Sequence, residues 1–593
     1  MKFSSRLTVA AASLVMLSAQ AGQTAPAPVT PIQHVIIVVG ENHTFDNLFG
    51  TYQPKSGQTI SNLLSKGIVK ADGSPGPHFA LARQNIGLDV WQYHAETLST
   101  GSYAVLPQPY TTYGIGLPQG VPDGRFPNNM PNGPFQISWY VPYAAYTGDP
   151  VHRFFQMWQD VDGGRHDKFA WVEETIGTGS NGALPPAGGF NPMEGAISMG
   201  FYNMNPYVDA HGASQTGDAA IFKSLADNYA IGDNYHQAIM GGTGANFQAI
   251  VSADAAFFTN LDGTAGVPYA NQIENPTPYP GTNNYYTQDG YSGGSYVNCA
   301  DPGQPGVASV LRELQRQRVT NPNCVAGHYY LVNNYNLYWK QDGTTGQLGS
   351  DQFTLPPQTN PTIADLMTSS GLSWKYYAAD RGDDPTTFAN AVDGIPLAFH
   401  SYCGICDPLT AYTSIETTAQ AQNLQNYGAF LNDVKNGTLP AVSFVRPFEA
   451  LAGHPADSTT DLYELFIQDL IAQVKANPEL WASTAIFITT DEGGGYYDSG
   501  YIQAVDFFGD GTRIPFIAVS PWSKTGYVDH TYYDHVSMLK FIEANWKLGK
   551  ISARSRDNLP DPLSTKANPY QPINGPSIGD LMNLFDFTQT PHS

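Results

Sequence analysis

Apolar residues along the chain follow two rhythms. Short uninterrupted runs, bounded by Gly, Pro or polar clusters, predict strands at 34–39, 227–232, 373–377, 441–446, 484–490 and 514–520. Between them apolar positions recur every three or four residues at 217–227, 306–317, 361–369, 461–475 and 535–548, which predicts helices. Strands without polar alternation are buried on both faces, and their alternation with helices predicts an α/β fold with a mostly parallel sheet sandwiched by helices. The stretches near 54–150 and 255–360 are rich in Gly, Pro, Asn and Tyr and show neither rhythm, so they predict loop-rich insertions of the kind that shape substrate sites or form lids. From about 549 the chain is Pro- and Asn-rich and predicts a C-terminal surface segment. No internal repeat is visible.

Two of the predicted strands, 450 residues apart, end in the same chemistry. Val35–Val39 stops at Gly40-Glu41-Asn42, and Thr484–Thr490 stops at Asp491-Glu492 before three glycines. Parallel sheets bind ligands beyond the carboxyl ends of their strands, so four oxygen-bearing side chains would meet at one edge. Clustered carboxylates call for a hard cation to offset their repulsion. A helix cap accounts for each acidic residue taken singly, but less well for the recurrence. A third segment, Met240-Gly241-Gly242-Thr243-Gly244-Ala245-Asn246-Phe247, sets a lone hydroxyl among three glycines at the start of a predicted helix. Such a turn lets backbone approach a ligand, and a helix N-terminus favours an anion. Thr243 is thus placed as a nucleophile facing phosphate, in need of a base or a cation to ionise it. The alternative is a turn whose Thr caps the helix.

Glu41-Asn42-His43-Thr44-Phe45-Asp46-Asn47-Leu48-Phe49-Gly50-Thr51-Tyr52 resembles the opening motif of a bacterial phosphoesterase family that holds secreted phospholipases C and acid phosphatases, relatives of the alkaline-phosphatase superfamily. Val151–Trp158, Asp162–Phe169, Asp233–Phe247, Thr490–Asp498 and Arg513–His535 resemble further family blocks in the expected order. The likeness runs over 32–548 and implies one catalytic domain there, with a core like that of alkaline phosphatase. It implies that Glu41, Asn42, Thr243, Asp491 and Glu492 bind one divalent metal ion; the oxygen-rich donors suit Ca, Mg or Mn better than structural Zn, though oxygen-rich Zn sites exist. Asn42, Gly244 and Asn246 are expected to bind substrate. Phospholipase members carry Pro-Asn-Arg after the nucleophile's turn, and here the Pro and Arg are gone while the Asn stays. That loss of a bidentate phosphate partner shifts the expectation toward an acid-phosphatase-like phosphomonoesterase.

Of the 14 histidines, His454 resembles the family's HP-x-D segment and is expected to bind the phosphate or protonate the leaving oxygen, with His166, beside Arg165 and Lys168, as a second catalytic candidate. His535 is expected to organise structure, since Asp534-His535 precedes a predicted helix and can cap it. At the N-terminus, Lys2 and Arg6 precede the apolar Leu7–Leu17, too short for a bilayer span, and Ala19-Gln20-Ala21 reads as a cleavage site, so 1–21 is expected to be a signal peptide and the mature chain periplasmic or secreted, without a transmembrane segment. The four cysteines fit an oxidising compartment. Three pairings exist in principle, and loop closure favours the local ones, Cys299 with Cys324 and Cys403 with Cys406; a redox-active CxxC is the rival reading of the latter pair. A formal net charge of −23 argues against nucleic acid as a partner and against bulk attraction to anionic membranes.

These readings converge on an exported phosphoester hydrolase that works through Thr243 and a phospho-enzyme. Phospholipase C, acting on phospholipid head groups, is the alternative. A catalytically silent surface or carbohydrate-binding protein is the reading of another class.

Overall fold

A computed structural model describes residues 25–89, 91–111, 121–175, 195–277, 294–350, 352–382 and 402–591. The expected signal peptide lies outside the described residues. The sheet's strands are β1 (His34–Gly40), β2 (Ala230–Gly232), β3 (Trp374–Ala378), β4 (Leu424–Gln425), β5 (Val442–Arg446), β6 (Thr484–Thr490), β7 (Phe516–Val519) and β8 (Tyr527–Asp529). They form one eight-stranded sheet in the order β4-β3-β5-β1-β6-β7-β2-β8. All neighbours pair in parallel except β7, which runs antiparallel to both β6 and β2. The fold is α/β, a mostly parallel sheet between helices.

The unbroken apolar runs of β1 and β6 follow from what covers them. Val35, Ile37 and Val39, with Ala485 and Phe487, join one core; Ile36 and Val38, with Ile486 and Ile488, join another on the opposite face. A strand with a core on each side has no solvent face to be polar on. On the first face lie α3 (Thr243–Ser252) and α8 (Val536–Trp546), contributing Phe247, Ile250, Leu539 and Phe541. On the second lie α2 (Ala220–Asn228), α6 (Tyr427–Asn436) and α7 (Thr460–Lys475), contributing Phe222, Tyr427, Phe430, Phe466 and Leu470. Further helices are α1 (Phe154–Val161), α4 (Val307–Arg316) and α5 (Ile363–Ser369).

Short two-residue ladders, such as Asn85–Ile86 with Gly101–Ser102 and Tyr296–Val297 with Tyr330–Leu331, punctuate the stretches near 54–150 and 255–360. Beyond 549 the chain contributes Ile578, Leu581 and Leu584, all fully buried. Arg556, also buried, forms ion pairs with Asp506 at 2.5 Å and Asp510 at 3.1 Å. Disulfides join Cys299 to Cys324 and Cys403 to Cys406. Among the described residues no helix is long and apolar enough to cross a membrane.

Candidate active site

Register brings the two acidic strand ends together. Gly40 stands opposite Thr490 across the β1–β6 ladder, so Glu41 and Asp491 leave the sheet side by side. On the other flank of β1, Val38 pairs with Val445, and Arg446 ends β5 one residue later. Asn42 turns into the left-handed region at φ +60°, which Asn tolerates better than most residues. Its N–H donates to Asp491 Oδ1 at 3.3 Å, and the Glu492 N–H donates to the same oxygen at 2.8 Å. Gly494 packs against this turn at φ +57°, and a Cβ there would stand 2.5 Å from Asn42 Cβ, so only glycine fits.

Thr243 arrives from the other side of the site. Gly242 is the N-cap of α3 and Thr243 its first residue, so the Thr hydroxyl is not spent on capping. It donates instead to Glu492 Oε1 at 3.3 Å. The turn before it is tight: a Cβ on Gly241 would stand 1.8 Å from the Val332 carbonyl oxygen.

Three oxygens around this meeting point, Asn42 Oδ1, Asp491 Oδ2 and Glu492 Oε2, are buried without a hydrogen-bond partner among the described residues. A buried, unpaired oxygen is expensive, and two from carboxylates with one from an amide match what a hard cation collects. The electrostatics agree. Burial pushes Asp491 up to about 8, with Glu41 adding to the rise and Arg446 opposing it. Burial likewise pushes Glu492 well above the carboxylate range, with Asp491 and Asp149 adding to it. Burial and mutual repulsion thus disfavour the ionised carboxylates of Asp491 and Glu492, which a divalent cation would favour, and the donor chemistry suits such an ion.

Glu41 is held on its far side. Its Oε1 accepts from Arg446 Nη2, which also reaches Glu449 Oε2 at 3.0 Å, and Cys406 Sγ lies 3.1 Å from the same Oε1. His454 sits on the near side, its Nδ1 donating to the Pro455 carbonyl at 2.7 Å and its Nε2 lying 2.9 Å from Asn42 Nδ2. Burial disfavours charge on His454, but the carboxylates of Asp149, Glu41, Asp457 and Glu449 outweigh it and hold the ring's pKa up to about 10. A protonated Nε2 can donate to the amide oxygen of Asn42 or toward Glu41 Oε2, 3.7 Å away, whereas a bare Nε2 accepts from Nδ2 and frees Oδ1. Asp149 and His152 complete this flank: with His454 they offer donor atoms within 4.8 Å of one another.

The structure thus gathers Glu41, Asn42, Thr243, Asp491, Glu492 and His454. It does not gather the rest. Asn246 spends its side chain on the loop, accepting from Ile239 N and donating to the carbonyls of Ile239, Gly241 and Gly242, and so shapes the turn before Thr243. The Gly244 N–H donates to Asn334 Oδ1 at 2.8 Å. His166 is buried beside Asp498, Lys66 and Arg513 and borders a different cavity, of about 600 Å³, with Lys66, Arg316 and Tyr501. Asp534-His535 does start α8: His535 is its N-cap residue, Asp534 Oδ1 accepts from Val536 N at 2.8 Å, and the His535 ring makes no cap bond but donates from Nε2 to the Asp491 carbonyl. Arg446, Asp149 and His152 were not singled out from sequence. Arg446 carried a signal, a basic residue closing a buried strand; His152 lay inside the Val151–Trp158 block, and Asp149 carried no signal beyond its nearness to that block.

Comparison with known proteins points the same way. The chain is 28% identical to a non-hemolytic phospholipase C of Burkholderia pseudomallei over 308 residues, covering 45% of this chain and 41% of that protein. It is 22% identical to phospholipase C B of Mycobacterium tuberculosis over 600 residues, 96% of this chain and 80% of that one. A probable acid phosphatase of Kluyveromyces lactis is 27% identical over 214 residues, 35% of this chain and 47% of that protein. The chain thus spans less than half the length of the Burkholderia relative it matches. The model of the phosphoesterase family matches residues 32–549, nearly the whole of the described chain, and on that ground the chain belongs to the phosphoesterase family.

Proposed function

We propose that this protein is a cation-dependent phosphoric ester hydrolase in which Thr243 carries the phosphoryl group between two steps. The observation that carries the reading is the set of three buried, unpartnered oxygens on Asn42, Asp491 and Glu492, next to a hydroxyl that opens α3. A divalent cation held by Glu41, Asn42, Thr243, Asp491 and Glu492 supplies Lewis acidity that favours ionised oxygen and offsets phosphoryl charge. Thr243 Oγ1 attacks phosphorus, its proton leaving toward Glu492 Oε1 and passing to the departing ester oxygen. Water then hydrolyses the phospho-Thr243 ester and restores the hydroxyl. Asn42 gives Oδ1 to the site while His454 Nε2 holds its other end, which makes His454 a positioning residue for the neutral-ring state. Arg446 keeps Glu41 in place.

The favoured substrates are phosphomonoesters, because Ala245 and Phe247 flank Asn246 where the phospholipase motif has Pro and Arg. A second reading, phospholipase C, is supported by the near end-to-end alignment with the mycobacterial phospholipase. Turnover of p-nitrophenyl phosphate and of p-nitrophenyl phosphorylcholine, with and without chelator, separates the two. Loss on chelation and recovery with Ca, Mg, Mn or Zn is expected. No hydrolysis of either ester with any of these ions overturns the enzymatic reading.

A further inference from the structure

The ring Cys403-Gly404-Ile405-Cys406 does not sit at a distance from the site. Cys406 is fully buried and its sulfur rests on Glu41 Oε1 at 3.1 Å; bonded to Cys403, that sulfur has no proton to donate, so the contact is one of packing. Glu449 stands on the same spot, held by the guanidinium that holds Glu41. The four groups Glu41, Cys403, Cys406 and Glu449 each offer one donor atom, and these atoms all lie within 4.8 Å of one another. Tetrahedral zinc bonded at about 2.0–2.3 Å needs donors roughly 3.3–3.8 Å apart, so the two sulfurs, bonded to each other in the disulfide, separate on reduction while any wider pair closes in, both by side-chain rotation.

We propose that reduction of the Cys403–Cys406 disulfide opens a second metal site, of two thiolates and two carboxylates from Cys403, Cys406, Glu41 and Glu449, which takes zinc or a similarly soft divalent cation. Reduction adds two electrons and two protons to the S–S bond. A dithiol supplies both and becomes a disulfide, or a phosphine supplies the electrons and takes oxygen from water. Cys403 is partly exposed, and Gly404 borders a cavity of about 800 Å³ lined also by Leu337, Lys340, Gln341 and Tyr402, so a reductant reaches the ring from that side. The freed sulfurs remain close because only two residues separate them. Each releases its proton on binding the metal. Arg446 marks where positive charge already belongs: in the disulfide form it bridges the two carboxylates, while its Nη1 donates to the Pro447 carbonyl at 3.0 Å, a bond that does not depend on them.

Glu41 then serves two masters. The donor set stands without the phosphoesterase reading; the consequence for turnover rests on it, because a Glu41 committed to the thiolate site is withdrawn from Asn42, Asp491 and Glu492. The full chain is treated with a phosphine, loaded with Zn²⁺, desalted and analysed for metal, with Co²⁺ in a parallel sample to report thiolate coordination by its charge-transfer band. Reduced protein is expected to retain about one more zinc per chain than oxidised protein. Cys299→Ser/Cys324→Ser keeps that increment and Cys403→Ser/Cys406→Ser abolishes it. Glu449→Gln weakens the affinity roughly tenfold or more. Hydrolysis of p-nitrophenyl phosphate falls as the increment fills and returns on reoxidation. An increment that fails to form, that survives Cys403→Ser/Cys406→Ser, or that binds as tightly in Glu449→Gln overturns the site. A filled site with unchanged hydrolysis overturns the link through Glu41. A chain that hydrolyses no ester in either redox state refutes the phosphoesterase reading and leaves the metal count to decide the site by itself.

Discussion

Thr243→Ala separates chemistry from stability more cleanly than any other substitution in this protein. If Oγ1 is the covalent nucleophile, its loss removes the two-step route and leaves only positioning and charge stabilisation. Turnover should then fall about 10³- to 10⁶-fold, roughly 4–8 kcal/mol of barrier. The folded state should hardly notice. Gly242, not Thr243, caps α3, so no cap is lost. The hydroxyl's bond to Glu492 Oε1, at 3.3 Å, lies at the long end for an O–H donor, and its removal costs about 1 kcal/mol. Thr243→Ser keeps the hydroxyl and should retain measurable activity. The assay is a rapid acid quench with radiolabelled phosphoester: parent protein and Thr243→Ser trap label on the chain, and Thr243→Ala does not. Hydrolysis by Thr243→Ala at near the parent rate, with the cation still bound, would refute the argument and leave water as the attacking group.

Three other substitutions test the surroundings. Asp491→Asn should lose the cation and the activity together, read by elemental analysis of purified protein; a variant with full metal content and no turnover would contradict the ligand assignment. Arg446→Met leaves the buried Glu41 and the half-buried Glu449 without their shared guanidinium, so unfolding should become about 3 kcal/mol easier in denaturant titration. His236 is fully buried, and burial drives it from 6.5 down to about 3 against a bond to the Gly511 carbonyl. The unfolded chain therefore takes up a proton near pH 6.5 that the folded chain refuses until about pH 3, and the stability this supplies, complete above 6.5, drains away as pH falls between those values. His236→Gln should shrink the difference in unfolding free energy between pH 7 and pH 5 by about 2 kcal/mol; an unaltered difference would mean the ring is protonated inside the fold.

The catalytic frame could be read from sequence because its parts are marked locally. β1 and β6 are apolar without interruption, since each is covered on both faces, and the polar residues that end them stand out against that background. Thr243 was visible as the one hydroxyl between glycines. The direction of β7 was not, because a buried run reads alike in a parallel or an antiparallel strand. α6 was passed over although Tyr427, Phe430 and Val434 follow the helical spacing, for its flanks are rich in Asn and Gly. Within the site, Asn246 shows what spacing cannot supply: it lies three residues from Thr243, yet its amide points back into the loop. Asp149, His152 and Arg446 meet the cluster from segments separated by some 300 residues, and nothing in a local pattern reports such a meeting.

The place of β1 in the sheet has a consequence in time. This strand is made early, yet both of its neighbours, β5 and β6, come from the last third of the chain. A ribosome working at about 5–20 residues per second needs roughly 20–80 seconds to pass from Val38 to the end of β5. Throughout that interval this apolar strand has two bare edges, and the residues destined to meet across it remain strangers. A nascent chain caught in this window would present an adhesive ribbon, so its yield in a cell should depend on whatever shields that ribbon until residue 490 has emerged.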